Sequence, residues 1–148
     1  MFDMRSVLKN SNKRSAPESW SQLAASYEIQ HVWLVNDSNV DRSYVDYIEK
    51  IIYVHDDFSY WENYKHPVTG SAQTPEESIL LRFLHEVGHI ASGHARYGGV
   101  RFDAHGNIAN DMALMMRENE AWNYATGFKN YQADRFQQML NSYVPFSH

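Results

Sequence analysis

Five consecutive residues, His85-Glu86-Val87-Gly88-His89, carry the most specific chemical signal in the sequence. Residues four apart share one face of a helix, so His85 and His89 can present two imidazole nitrogens to a single metal ion. Glu86 lies about 100° round the helix from His85, too far to be a third ligand and near enough to act on a water held by that ion. Zinc brings the pKa of such a water to about 7, and a neighbouring carboxylate can take its proton and return it to a leaving nitrogen. The chemistry implied is hydrolysis of an amide, with Glu86 as general base.

A hydrolytic site of this kind needs a third protein ligand from elsewhere in the chain. The chain has no cysteine, so its metal chemistry is restricted to histidine and carboxylate ligands. Two carboxylates downstream qualify, Glu118 and Glu120, in Arg117-Glu118-Asn119-Glu120-Ala121-Trp122. On a regular helix they point about 200° apart, so one ion takes only one of them. Two histidines, one carboxylate and open positions also suit ferrous iron; the general base favours zinc.

Regular elements must hold these residues in place. Thr74-Pro75-Glu76-Glu77 combines a capping threonine, a proline at the first helical position and a glutamate placed to close a capping box, so a helix starts there. Ile79, Leu80, Phe83, Leu84, Val87 and Ile90 give it an apolar face, and Gly93 is a stop before a loop containing Gly98, Gly99 and Gly106. A second long helix begins near Asn110-Asp111, with Met112, Met115 and Met116 reading as core packing. Gly127 is placed to break or bend it, and 131–140 predicts a final helix ending before Pro145. Upstream, Ser15 and Glu18 frame a helix over 17–28 that buries Trp20, Leu23, Ala24 and Tyr27. The runs 31–35 and 50–54 are short, apolar and β-branched, which predicts two strands of one small sheet, with 40–49 short helical or irregular between them. Residues 56–73 read as a long surface loop forming one wall of a cleft. The fold expected is α+β: a small β-sheet packed on the H-E-x-x-H helix, with further C-terminal helices. Residues 1–14 read as a mobile lead-in, and 15–148 as a single domain.

Bulk composition narrows the function classes. At 148 residues one core suffices, and a domain this long buries roughly 70% of its unfolded surface. Hydrophobic residues make up 43% and charged residues 21%, ordinary globular usage. A net charge of −5 offers no basic footprint for direct contact with nucleic acid. No apolar run approaches the roughly 20 residues that span a bilayer, and the N-terminus lacks the apolar segment of a secretory signal. The expected location is the cytoplasm, with no membrane partner.

The pairing of His-Glu-x-Gly-His at 85–89 with Glu-x-Glu-Ala-x-x-aromatic-Ala at 118–125 resembles the ImmA/IrrE-type metallopeptidases, over roughly residues 50–125. The resemblance implies a zincin-like fold and one zinc ion held by His85, His89 and Glu118. Ala121 then stands as the small residue three places after the ligand, and Glu120 is the fallback. It further implies a narrow-specificity endopeptidase of bacteria or their mobile elements, acting on a protein substrate such as a DNA-binding repressor.

Other candidates follow from the chemistry. His94 falls one residue short of Ala95, where the third histidine of an H-E-x-x-H-x-x-G-x-x-H site would stand, so that class is excluded. His94, Tyr97 and Tyr64 remain candidates for hydrogen bonding to a ligand or to a developing oxyanion. His31, His55, His66, His105 and His148 read as surface or loop histidines, with His55 and His66 flanking the cleft wall. The rival reading is a metal-containing regulatory protein, an inhibitor or anti-defence factor that sequesters its partner without cleaving it; an intact Glu86 weighs against it, because metal binding alone requires no base.

Overall fold

The computed structural model describes residues 4–40, 42–58, 65–66, 70–71, 74–93 and 111–145. Two turns of chain, α1 (Met4–Lys9), lead into a short strand β1 (Lys13–Ser15) and helix α2 (Glu18–Ala25). Strands β2 (His31–Val35), β3 (Tyr44–Asp46) and β4 (Ile51–His55) follow, then a two-residue ladder of β5 (Lys65–His66) and β6 (Gly70–Ser71). Helices α3 (Pro75–Ala91), α4 (Asp111–Tyr131) and α5 (Ala133–Ser142) complete an α+β architecture. No helix among the described residues is long and apolar enough to cross a membrane.

The main sheet is mixed, in the order β1-β2-β4-β3. Strands β2 and β4 pair in parallel, with Trp33 opposite Tyr53, while β1 and β3 add antiparallel edges. Strand side chains alternate between faces, and both faces are used. Val32, Leu34, Val45, Ile52 and Val54 join Trp20, Leu80, Phe83 and Leu84 in the larger core, and Leu8, Val35, Val40 and Tyr53 form a smaller one on the other side. Within the segment 1–14 read as a mobile lead-in, the described residues carry α1 and the start of β1. Leu8 is fully buried and β1 pairs with β2, because the second face of the sheet needs a cover. The segment 40–49, read as helical or irregular, contains the edge strand β3.

Helix α3 begins as its sequence dictates: the Thr74 side chain accepts from the Glu77 amide at 3.1 Å and Pro75 occupies the first turn. It stops at Gly93, whose φ of 76° favours glycine. Between these points it is buried on nearly every side and packs on α4, α5 and β4. Arg82, buried within it, donates to the carbonyls of His55 at 2.7 Å and Asp57 at 3.0 Å. That guanidinium fixes the helix to the end of β4. His55, read as a surface or loop histidine, ends β4 with its side chain buried.

Helices α3 and α4 run antiparallel: Glu77 near the start of α3 pairs with Lys129 near the end of α4, while Gly88 meets Ala121. Gly127 does not interrupt α4, which continues to Tyr131, and α5 begins at Ala133. The helix read over 17–28 is shorter, Glu18–Ala25, and Pro17 rather than Ser15 precedes it. Met115 and Met116, read as core packing, are exposed; Met112's side chain lies outside the described residues.

Candidate metal centre

The site grows out of the closest approach of α3 to α4. A Cβ built at Gly88 would lie 2.5 Å from the Ala121 carbonyl oxygen and 2.9 Å from its Cα. Only glycine permits this spacing, and with a small residue opposite it the two backbones come within reach of each other's side chains. One turn before Ala121 on α4 stands Glu118, and flanking Gly88 on α3 stand His85 and His89.

The result is a compact donor cluster. Glu118 Oε2 lies 2.9 Å from His85 Nε2, and Glu118 Oε1 lies 3.1 Å from His89 Nε2. The imidazole rings stand 4.6 Å apart, nearly perpendicular at 75°. Glu86 Oε1 is 3.3 Å from His85 Nδ1, the ring nitrogen turned away from Glu118. His85, Glu86 and His89 by themselves can also bring one donor atom each within 4.8 Å of one another. Glu118 faces both Nε2 atoms, whereas Glu86 stands against His85 Nδ1. Glu120, about 200° round the helix from Glu118, is exposed and does not line the cleft.

Zinc takes nitrogen and carboxylate oxygen at about 2.0–2.2 Å in a tetrahedral set, which spaces ligand atoms by about 3.3 Å. The observed 2.9 and 3.1 Å run to the two different oxygens of Glu118, one to each histidine. Two imidazoles and one carboxylate are the donor set of a hydrolytic zinc site with an open position, and one donor atom each from His85, Glu86 and His89 lies within 4.8 Å of the others. The donor types fit the ion.

The electrostatics of the metal-free cluster follow from its geometry. Burial by itself disfavours charge on His85, but the hydrogen bonds and charges of Glu118 and Glu86 outweigh it and raise its pKa to about 9. Burial likewise pushes Glu118 up, and the hydrogen bonds from His85 and His89 overcome it, holding that carboxyl well below the usual range. An arriving cation must displace the His85 proton.

The cluster opens onto a cleft of about 510 Å³, also lined by Arg42, Ser43, Tyr44, Val45, Tyr47 and Trp122. Edge strand β3 supplies one wall. The turn that follows is closed by the buried Asp46, whose Oδ1 accepts from the amides of Ile48 and Glu49 at 3.0 and 2.9 Å, and Lys50 completes it at φ 61°. This turn carries Tyr47 to the cleft. Burial, and next the negative charge of Glu86, push the Tyr47 phenol up to about 12. Trp122, one turn beyond Glu118, stacks on His85 with ring centroids 4.2 Å apart.

Of the residues singled out in the sequence, His85, Glu86, His89 and Glu118 come together. His94, Tyr97 and Tyr64 lie outside the described residues, as do His105 and His148. Sequence reading did not find Tyr44, Tyr47 or Trp122. The signal for Tyr47 was the Asp46 turn; that for the helix approach was Gly88 with Ala121. Compared with known proteins, the chain matches no family model, no curated protein and no solved structure.

Proposed function

We propose that this protein is a zinc-dependent endopeptidase with a zincin-like fold, related in kind to the ImmA/IrrE metallopeptidases that its paired motifs resemble. One observation carries the reading: both oxygens of Glu118 face the Nε2 atoms of His85 and His89, and these three residues line one cleft together with Glu86. A structural ion pair would require neither a second histidine nor a second carboxylate on the same cleft.

In this reading His85, His89 and Glu118 hold the ion, which when bound acidifies water and polarises the scissile carbonyl. Glu86 accepts the water's proton as the oxygen attacks, then delivers it to the departing amide nitrogen. Tyr47, kept protonated by burial and by Glu86, offers a neutral O–H donor on the cleft wall, suited to an oxygen that gains negative charge. The substrate proposed from the resemblance is a regulatory, repressor-like protein cut at few sites in the cytoplasm. The acidic chain would recognise the protein rather than its nucleic acid.

The test pairs wild type with Glu86→Gln, both measured for zinc by elemental mass spectrometry and both assayed on quenched-fluorescent peptide mixtures and repressor-type proteins. Both should hold near-stoichiometric zinc, and cleavage by the variant should fall by at least about 100-fold. Equal cleavage by the two overturns the assignment of Glu86. Zinc bound without cleavage by wild type would favour the regulatory binding protein instead.

A further inference from the structure

Resting on the peptidase reading, we infer that Trp122 is a positioning residue for His85, its indole acting as a plate that sets the plane of one metal-ligand ring. Three contacts define that ring. Nε2 meets Glu118 at 2.9 Å, Nδ1 meets Glu86 at 3.3 Å, and one face lies on Trp122 with centroids 4.2 Å apart and planes inclined by 26°. The two polar contacts sit at opposite edges of the ring and fix its ends. The stack fixes its tilt, because rotation about the Cβ–Cγ bond drives the ring edge into the indole.

The plate is itself well anchored. Trp122 directly follows Ala121, whose backbone is the point of closest approach to Gly88, and its side chain packs against the larger core. It stands four residues after Glu118, so one face of α4 delivers both the carboxylate and the plate. Relative motion of α3 and α4 therefore shifts ligand and plate together. His89 meets Glu118 through Nε2 at 3.1 Å, and its ring meets His85 edge-on at 75°. Groups that orient a metal-bound histidine commonly contribute 10–100-fold to affinity; here the stack on Trp122 shares that part with the Glu86 contact at Nδ1.

The experiment titrates zinc ion alone into the full chain, following both affinity by competition with a chromophoric chelator and tryptophan fluorescence. Wild type, Trp122→Phe, Trp122→Leu and His89→Ala are compared, with the melting temperature of each metal-free variant recorded. Trp122→Leu should bind zinc about 10–100-fold more weakly, out of proportion to any fall in melting temperature. Trp122→Phe, which keeps a flat ring, should retain affinity within about threefold yet lose the zinc-dependent change in emission. Wild-type affinity in Trp122→Leu overturns the inference and leaves the metal site standing. Equal weakening in the Phe and Leu variants overturns it too, since the flat ring would not be what matters. Absence of zinc binding by wild type, matching His89→Ala, overturns the peptidase reading and this inference with it.

Discussion

The two ends of the α3–α4 seam use one charge pattern for different purposes. At the closed end Lys129 meets Glu77, whose side chain is 5% exposed. An ammonium can only donate, so the contact is complete once formed. At the open end Glu118, 43% exposed, faces His85 and His89. An imidazole nitrogen can surrender its proton and offer a lone pair to a cation. A carboxylate facing nitrogen across two helices is thus not in itself a site. Exchangeable donors and an open cleft make one, and the closed end serves it by fixing the helix register that Glu118 needs.

The sharpest way to break this comparison is to remove each end in turn. Glu118→Ala takes away a direct ligand, and because orienting groups alone contribute 10–100-fold, zinc affinity should fall by more than about 100-fold. Its effect on metal-free stability should be small, since the carboxylate is half-exposed. Lys129→Met should do the reverse: it removes one cation from the buried Glu77 carboxylate, at a cost of about 1–3 kcal/mol in unfolding free energy, discounted for the exposed lysine. Zinc titration and denaturant melts on both variants check the crossing. Parallel losses in the two assays would mean that the seam acts as one undivided unit.

Gly88→Ala sharpens the comparison at the midpoint. Alanine gains up to about 1 kcal/mol in helix propensity, while overpacking against the Ala121 backbone costs about 1–3 kcal/mol. Net stability should fall by no more than about 2 kcal/mol. The added methyl must push the helices apart, however, and Glu118 then loses its reach to both histidines. Zinc affinity should drop by about tenfold or more, out of proportion to the change in melting temperature. Unchanged affinity would show that the close approach is not what sets the ligand distances.

Gly88 also shows how far the sequence could be read. The motif helix was legible because its signals are local: a capping threonine, a first-turn proline and a terminal glycine each act within a few residues. His85, Glu86 and His89 followed from the helical period alone. Spacing alone left Glu118 as one of two candidates and only the family resemblance preferred it, since choosing it over Glu120 on physical grounds depends on how α4 is rotated against α3, a tertiary fact. The strands β1 and β3 were missed because three-residue edge strands carry almost no periodicity, and they form through pairing with β2 and β4. Tyr47 and Trp122 were hidden for a related reason. Aromatic residues are abundant here, and only the fold decides which of them face the cleft. Residues 4–9 read as polar because Leu8 is a single buried anchor in a polar stretch.

The smallest effect expected is a pH dependence confined to the open end. The folded pKa of His85, about 9, lies above its ordinary value of 6.5, so the metal-free folded protein keeps a proton that the unfolded chain releases. Its contribution to stability is full below about pH 6.5 and is lost as pH rises through about 9. The melting temperature of chelator-treated wild type should therefore decline over that window. In Glu118→Ala the decline should be shallower, because the largest contact raising the His85 pKa is gone. Zinc binding should move in the opposite direction and tighten as pH rises, since the ion no longer competes with the proton. If metal-free wild type and Glu118→Ala trace the same slope, Glu118 is not what holds the His85 proton, and the open end loses the electrostatic character that sets it apart from the closed one.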